Sequence, residues 1–109
     1  MSDKGNNLVR LCAVDDVDEV DCIQVLPEGL PPLAVYRVGE DQIFVTDDTC
    51  THGQASLGDE GYLDGFIIEC TWHEGKFDVR TGEVVAMPCT LPIKTYPVTV
   101  KDGDVFISP

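Results

Sequence analysis

Short apolar runs separated by polar turns set the rhythm of this chain. LVRLCAV (8–14), DCIQVL (21–26), PLAVYRV (32–38) and QIFVTD (42–47) are rich in β-branched and aromatic residues and predict strands. YLDGFIIEC (62–70), KFDVR (76–80), EVVAM (83–87), IKTYPVTV (93–100) and DVFIS (104–108) continue the pattern. Within 93–100, Ile93, Thr95, Pro97 and Thr99 alternate with Lys94, Tyr96, Val98 and Val100, the period of a strand. GED at 39–41, TG at 81–82 and KDG at 101–103 sit between such runs and predict hairpin turns, with Gly103 free to take a positive φ. No segment sustains a 3.6-residue period with caps. The acidic VDDVDEVD (14–21) predicts a turn or loop, and seven prolines and ten glycines work against helices. The pattern is that of an all-β barrel or sandwich.

A chain of 109 residues fits one domain, 1–109, and 43% hydrophobic residues suffice for a core. Charge narrows the function. Seven basic against twenty acidic residues give a formal net charge of −13, which argues against nucleic acid and anionic membrane surfaces. No apolar run approaches the ~20 residues of a membrane span. MSDKGNNLVR lacks the apolar core of a signal peptide, so the expectation is a soluble, cytoplasmic protein. Five cysteines is an odd number, which speaks against a disulfide framework. Cys12, Cys22 and Cys89 are expected to be buried structural thiols.

The chemistry concentrates at two places. CTHG (50–53) and CTWHEGKFD (70–78) each set a cysteine beside a histidine, and they hold both histidines of the chain. Each pair falls at a strand end, on a loop. A third loop, AMPCTLP (86–92), is stiffened by two prolines. Cys50, His52, Cys70 and His73 make four soft or borderline ligands. One tetrahedral zinc accepts two Cys and two His, as in a zinc-stabilised binding module. A two-iron, two-sulfide cluster also accepts them, each loop giving a thiolate to one iron and an imidazole to the other. A colourless sample or a brown one separates the two.

C-T-H followed by C-T-W-H-E-G-K-F-D-V-R-T-G resembles the Rieske signature, C-x-H then C-x-x-H. TCTHGQASLGDEGYLDGFIIEC and HEGKFDVRTGEVVAMPCTLPIKTYPVTVKDGDVFI extend the likeness over nearly the whole chain. The chain is similar to the small Rieske-type ferredoxins of three-component aromatic-ring dioxygenases of the naphthalene and biphenyl type. The resemblance implies one [2Fe-2S] cluster per chain and a Rieske fold. That fold has a β-sandwich or barrel base, here 1–48 and 92–109, carrying a small cluster-binding subdomain at roughly 49–91. Cys50 and Cys70 would hold the inner iron. His52 and His73 would hold the outer iron through their Nδ1 atoms. Backbone amides of Gly53 to Ala55 and Glu74 to Lys76 would donate to sulfur, and Trp72 would shield the cluster.

Departures from the respiratory and photosynthetic Rieske proteins point to a low potential. Their loop-tying cysteines correspond to Ala55 and Trp72 here. Their sulfur-bonding Ser and Tyr correspond to Gly75 and Phe77, whose side chains cannot donate. A hydrogen bond to a charged group contributes roughly 1.5–3 kcal/mol, and 100 mV corresponds to about 2.3 kcal/mol per electron, so losing two lowers the potential by roughly 130–260 mV. Glu69 and Glu74, each beside a ligand, push the same way.

The resemblance therefore implies an electron carrier between a flavoprotein ferredoxin reductase and a terminal oxygenase, acting as a monomer. A carrier for a monooxygenase or a nitrite reductase would use the same cluster. An oxygenase needs two further histidines and a carboxylate for a mononuclear iron, and this chain has no histidine to spare. No catalytic site of its own is expected. Partners are expected to dock around the two histidines, Gln54, Glu74, Pro88 and Leu91, presenting basic residues to Asp59, Glu60 and Glu74.

Overall fold

The computed structural model describes residues 8–40, 42–51, 55–70, 75–86 and 91–109. Its strands are β1 (Val9–Ala13), β2 (Asp21–Val25), β3 (Leu33–Arg37), β4 (Ile43–Asp47), β5 (Tyr62–Asp64) and β6 (Ile67–Cys70). They continue with β7 (Gly75–Asp78), β8 (Val84–Ala86), β9 (Thr95–Tyr96), β10 (Val98–Lys101) and β11 (Asp104–Ile107), and one short helix, α1, spans Leu57–Glu60. Among the described residues all pairings are antiparallel, in three sheets ordered β1-β11-β10, β2-β3-β4-β9 and β5-β6-β7-β8. The all-β expectation holds.

The middle sheet is shared by two cores. Leu33 and Val35 of β3 pack with Cys12, Val17, Ile43, Val45, Tyr96, Val105 and Ile107 on the β1-β11-β10 side. Ala34 and Tyr36, pointing the other way, join Cys22, Cys50, Leu57, Leu63, Ile68, Cys70 and Phe77. Residues 33–36 are all fully buried, which is why LAVY reads as an unbroken apolar run instead of an alternating one.

The three expected hairpins form, at β3–β4, β7–β8 and β10–β11. In the last, Asp102 and Gly103 both take positive φ, 54° and 80°, the conformation of a two-residue type I′ turn. Two expected strands are divided. The 62–70 run folds back at Gly65, whose φ of 62° closes a hairpin in which Asp64 pairs with Ile67. The Asp-Gly dipeptide at 64–65 is a turn signal inside an otherwise apolar stretch. The 93–100 run breaks at Pro97, which has no N–H to extend a ladder. Tyr96 pairs with Val45 in the middle sheet and Val98 with Ile107 in the outer one, so the chain changes sheets there. The acidic segment holds a single 3-10 turn at Val14–Asp16, tied down by Arg37 to the carbonyls of Val17 and Glu40.

Two buried tyrosines brace the middle sheet. The Tyr36 hydroxyl shares a hydrogen bond with Thr46 Oγ1 at 2.9 Å, and Tyr96 donates to Asp47 at 2.6 Å. Burial, followed by the Asp47 contact, pushes Tyr96 up to about 12, and burial pushes Tyr36 higher still. A raised folded pKa gives stability that is complete below the unfolded value near 10 and is lost as pH rises through the folded value. The contribution of these two tyrosines should therefore hold to about pH 10 and be lost above it. Tyrosinate absorbance from these two residues should appear together with the loss of far-UV circular dichroism. Titration of all three tyrosines with the dichroism intact would contradict this.

Candidate metal centre

Two connections in this fold begin in the same way. At the first, Thr49 bridges Ser56 and the Cys50 amide donates to the Ala55 carbonyl at 3.0 Å. At the second, Cys70 at the end of β6 pairs with Gly75 at the start of β7. Each cysteine is thus the last paired residue before four connecting residues, and its partner across the pair is small. Both cysteines are 1% exposed and belong to one core cluster with Ala55, Ile68 and Phe77. His52 and His73 fall in these two connections and lie outside the described residues, as do Trp72, Gln54, Glu74, Pro88 and Cys89. Among the described residues no three His, Cys, Asp or Glu side chains gather as a metal site.

A third segment is tied to the first. Thr51 Oγ1 donates to the Leu91 carbonyl at 2.9 Å, joining the residue after Cys50 to the residue before Pro92. Leu91 itself is 61% exposed. Gly75 and Phe77 are buried, and Phe77 carries no polar atom into the core it shares with both cysteines.

Asp48 anchors the first connection, and sequence reasoning passed over it. Its carboxylate accepts from Gln24 Nε2 at 2.8 Å, Ser56 Oγ at 2.9 Å and the Gly58 amide at 2.7 Å. Its amide donates to the Pro32 carbonyl, and its own carbonyl accepts from Leu57. Helix α1 was also missed. Its signal is Ser56-x-x-Asp59, an N-cap pattern, and Ser56 does accept from the Asp59 amide. The helix lies hard against β2, since a Cβ at Gly58 would stand 2.5 Å from the Ile23 carbonyl oxygen and 2.6 Å from the Gln24 nitrogen. Both are backbone atoms with little freedom to yield. Gly58→Ala should cost at least about 2 kcal/mol and lower Tm by on the order of 10 °C. A thermal melt within 2–3 °C of the parent, roughly the effect of half a kcal/mol, would show that the helix can lift off β2 freely.

Two further thiols are structural. Cys12 and Cys22 are buried and outside any disulfide, as expected, and burial raises them to about 11 and about 12. The Cys22 thiol donates to the Leu57 carbonyl at 3.6 Å, a further link between β2 and α1.

The donor chemistry fits an iron–sulfur cluster. Two buried thiols from separate hairpin ends meet in one core, and each is followed within three residues by an imidazole. The Rieske [2Fe-2S] domain model matches residues 7–97. The chain is 51% identical over 102 residues to the ferredoxin component of the p-cumate 2,3-dioxygenase system of Pseudomonas putida, covering 93% of this chain and 85% of that one. The solved Sphingomonas yanoikuyae B1 ferredoxin superposes with a TM-score of 0.88 at 51% identity, over 94% of this chain and 99% of that one. A ferredoxin solved in complex with the oxygenase of carbazole 1,9a-dioxygenase superposes with a TM-score of 0.85 at 48% identity, over 93% and 92%. With that fold, those two cysteine-led connections and these relatives, the chain belongs to the Rieske [2Fe-2S] domain family, and its cofactor is a [2Fe-2S] cluster.

Proposed function

We propose that this chain is a soluble, low-potential Rieske ferredoxin of an aromatic-ring dioxygenase system. It takes single electrons from a flavoprotein NAD(P)H reductase and delivers them to a terminal Rieske non-haem iron oxygenase. The observation that carries the reading is the pair of buried cysteines, each heading one of two matched connections. The relative solved with its oxygenase supports the choice of partner.

Cys50, His52, Cys70 and His73 are the ligands, on a cluster-binding subdomain at 49–91 carried by a base of 1–48 and 92–109. When bound, the cluster supplies a one-electron couple. The chain sets its surroundings. Phe77, Ile68 and Ala55 pack around the two cysteines and keep water from their sulfurs. Gly75 and Phe77 offer sulfur no side-chain hydrogen bond, which favours the oxidised form. Exposed Leu91, held beside Thr51, gives a docking partner apolar contact next to the first connection. Asp59 and Glu60, exposed on α1, attract basic residues. Both histidines are used as ligands, so none is left for a catalytic iron or a catalytic base, and the chain is a carrier with no reaction of its own. It works as a cytoplasmic monomer, since a shuttle must expose the same face to two partners in turn. Among the described residues no helix is long and apolar enough to cross a membrane.

Electron paramagnetic resonance of the purified protein before and after dithionite tests the centre. A rhombic signal appearing only on reduction is expected, followed by turnover when reductase and oxygenase are added. A colourless, silent sample holding one zinc per chain would overturn the proposal. Electron delivery should also slow as salt rises. Rates unchanged by salt would leave apolar contact alone to guide docking.

A further inference from the structure

Asp48 is a buried carboxylate that the carrier function does not yet use. It is 1% exposed. Its three side-chain partners, the Gln24 amide, the Ser56 hydroxyl and the Gly58 backbone N–H, are all donors and all neutral. Ser56 Oγ accepts from the Asp59 amide, which leaves its proton for Asp48. Three donors and no acceptor suit an ionised, acceptor-only carboxylate. The ion pairs found among the described residues, Arg10–Asp104 and Arg80–Asp78, do not involve it. A buried carboxylate with no counter-ion is uncommon, because desolvation opposes it. Here it stands two residues before Cys50, within about 7 Å of it by chain reach.

We infer that Asp48 is a positioning residue that also sets the redox equilibrium: it bolts the first cysteine-led connection to β2 and α1, and its negative charge beside Cys50, outside any ion pair among the described residues, favours the oxidised cluster. The inference rests on the carrier reading above. Reduction adds an electron to a site that already faces this charge. As a scale, a unit charge about 10 Å from an added electron at an effective dielectric near 20 changes a one-electron equilibrium by about tenfold.

Three variants of the cluster-bearing protein separate charge from scaffolding. Asp48→Asn removes the charge. Its Oδ1 keeps Ser56 and Gly58, and the Gln24 amide can turn to accept from the new Nδ2. Gln24→Lys leaves Asp48 in place and sets a cation against it, at a residue that is itself exposed. Ser56→Ala keeps the charge and deletes one hydrogen bond. Each is followed by iron and sulfide content, thermal unfolding, and a redox titration read by the resonance signal.

Asp48→Asn should favour the reduced cluster about tenfold, which is about 59 mV for one electron. Gln24→Lys should move it the same way by at least about threefold, a partial cancellation of the same charge. Ser56→Ala should lower Tm while moving the equilibrium less than about twofold, since the charge remains. An Asp48→Asn protein with a full cluster and an unmoved equilibrium would make Asp48 a scaffold residue only and overturn the inference. If Asp48→Asn does not fold, Gln24→Lys decides alone, and no shift there overturns the inference equally. A parent protein lacking two irons and two sulfides would sink the carrier reading as well, so the two failures are told apart by the parent's own iron content.

Discussion

Cys70→Ala should yield a colourless protein with no rhombic resonance and no ability to pass electrons to an oxygenase. Cys70 is 1% exposed, at the end of β6, and shares a core with Cys50. On the proposed assignment the two thiolates hold the same iron. Alanine leaves that iron with one protein ligand, and the other described cysteines cannot replace it. Cys12 lies in the core on the far side of the middle sheet, and Cys22 is engaged with the Leu57 carbonyl. Serine should fail nearly as completely, because a hard alkoxide is a poor substitute for a soft thiolate. Metal binding is coupled to folding, so stability should drop with the iron. Cys12→Ala is the control and should keep its full iron content. Iron and sulfide analysis on the two variants decides. A Cys70→Ala protein that still carries two irons would remove Cys70 from the ligand set.

The second large effect runs through Gly75 and Phe77. Converting them to Ser and Tyr should raise the midpoint potential by roughly 130–260 mV, with Gly75→Ser alone giving about half. Position 75 pairs with Cys70, and Phe77 lies in the core that holds both cysteines. New hydroxyls here would face sulfur, and each hydrogen bond would stabilise the more negative, reduced form. The tyrosine is the harder change, because position 77 is 0% exposed and an unpartnered buried hydroxyl costs about 1–3 kcal/mol. A melting temperature that stays near the parent's while the potential rises would mean the hydroxyl has found its acceptor. A full cluster at unchanged potential would mean that these two side chains do not control it.

Much of this was legible in the chain. Hairpin turns at 39–41, 81–82 and 101–103 declared themselves by composition, and the four candidate ligands by having both histidines beside cysteines. What was hidden depends on tertiary partners. Asp48 looks like one more acidic residue in an acidic chain. Its importance comes from Gln24, on a strand laid down 24 residues earlier, and from Ser56 beyond the first connection. The division at Pro97 was visible as a proline, yet the alternation around it suggested a continuous strand. Only the change of partner from Val45 to Ile107 shows that one run serves two sheets. Helix α1 was too short to display a period, and its N-cap was the one local trace.

Strand β3 belongs to both cores at once, and this bears on how the molecule comes apart. A redox head mounted on an independent pedestal could melt by itself and re-form. Here the pedestal's central strand is also the floor of the head, so neither half has a closed interior without the other. Amide protons of Val35 and Tyr36 should be the last to exchange with deuterium, at the rate of global opening. For the same reason the sheet that bears Cys70 should not work as an excised fragment. Transplanting its chemistry into another scaffold would require carrying LAVY along with the two cysteine-led connections.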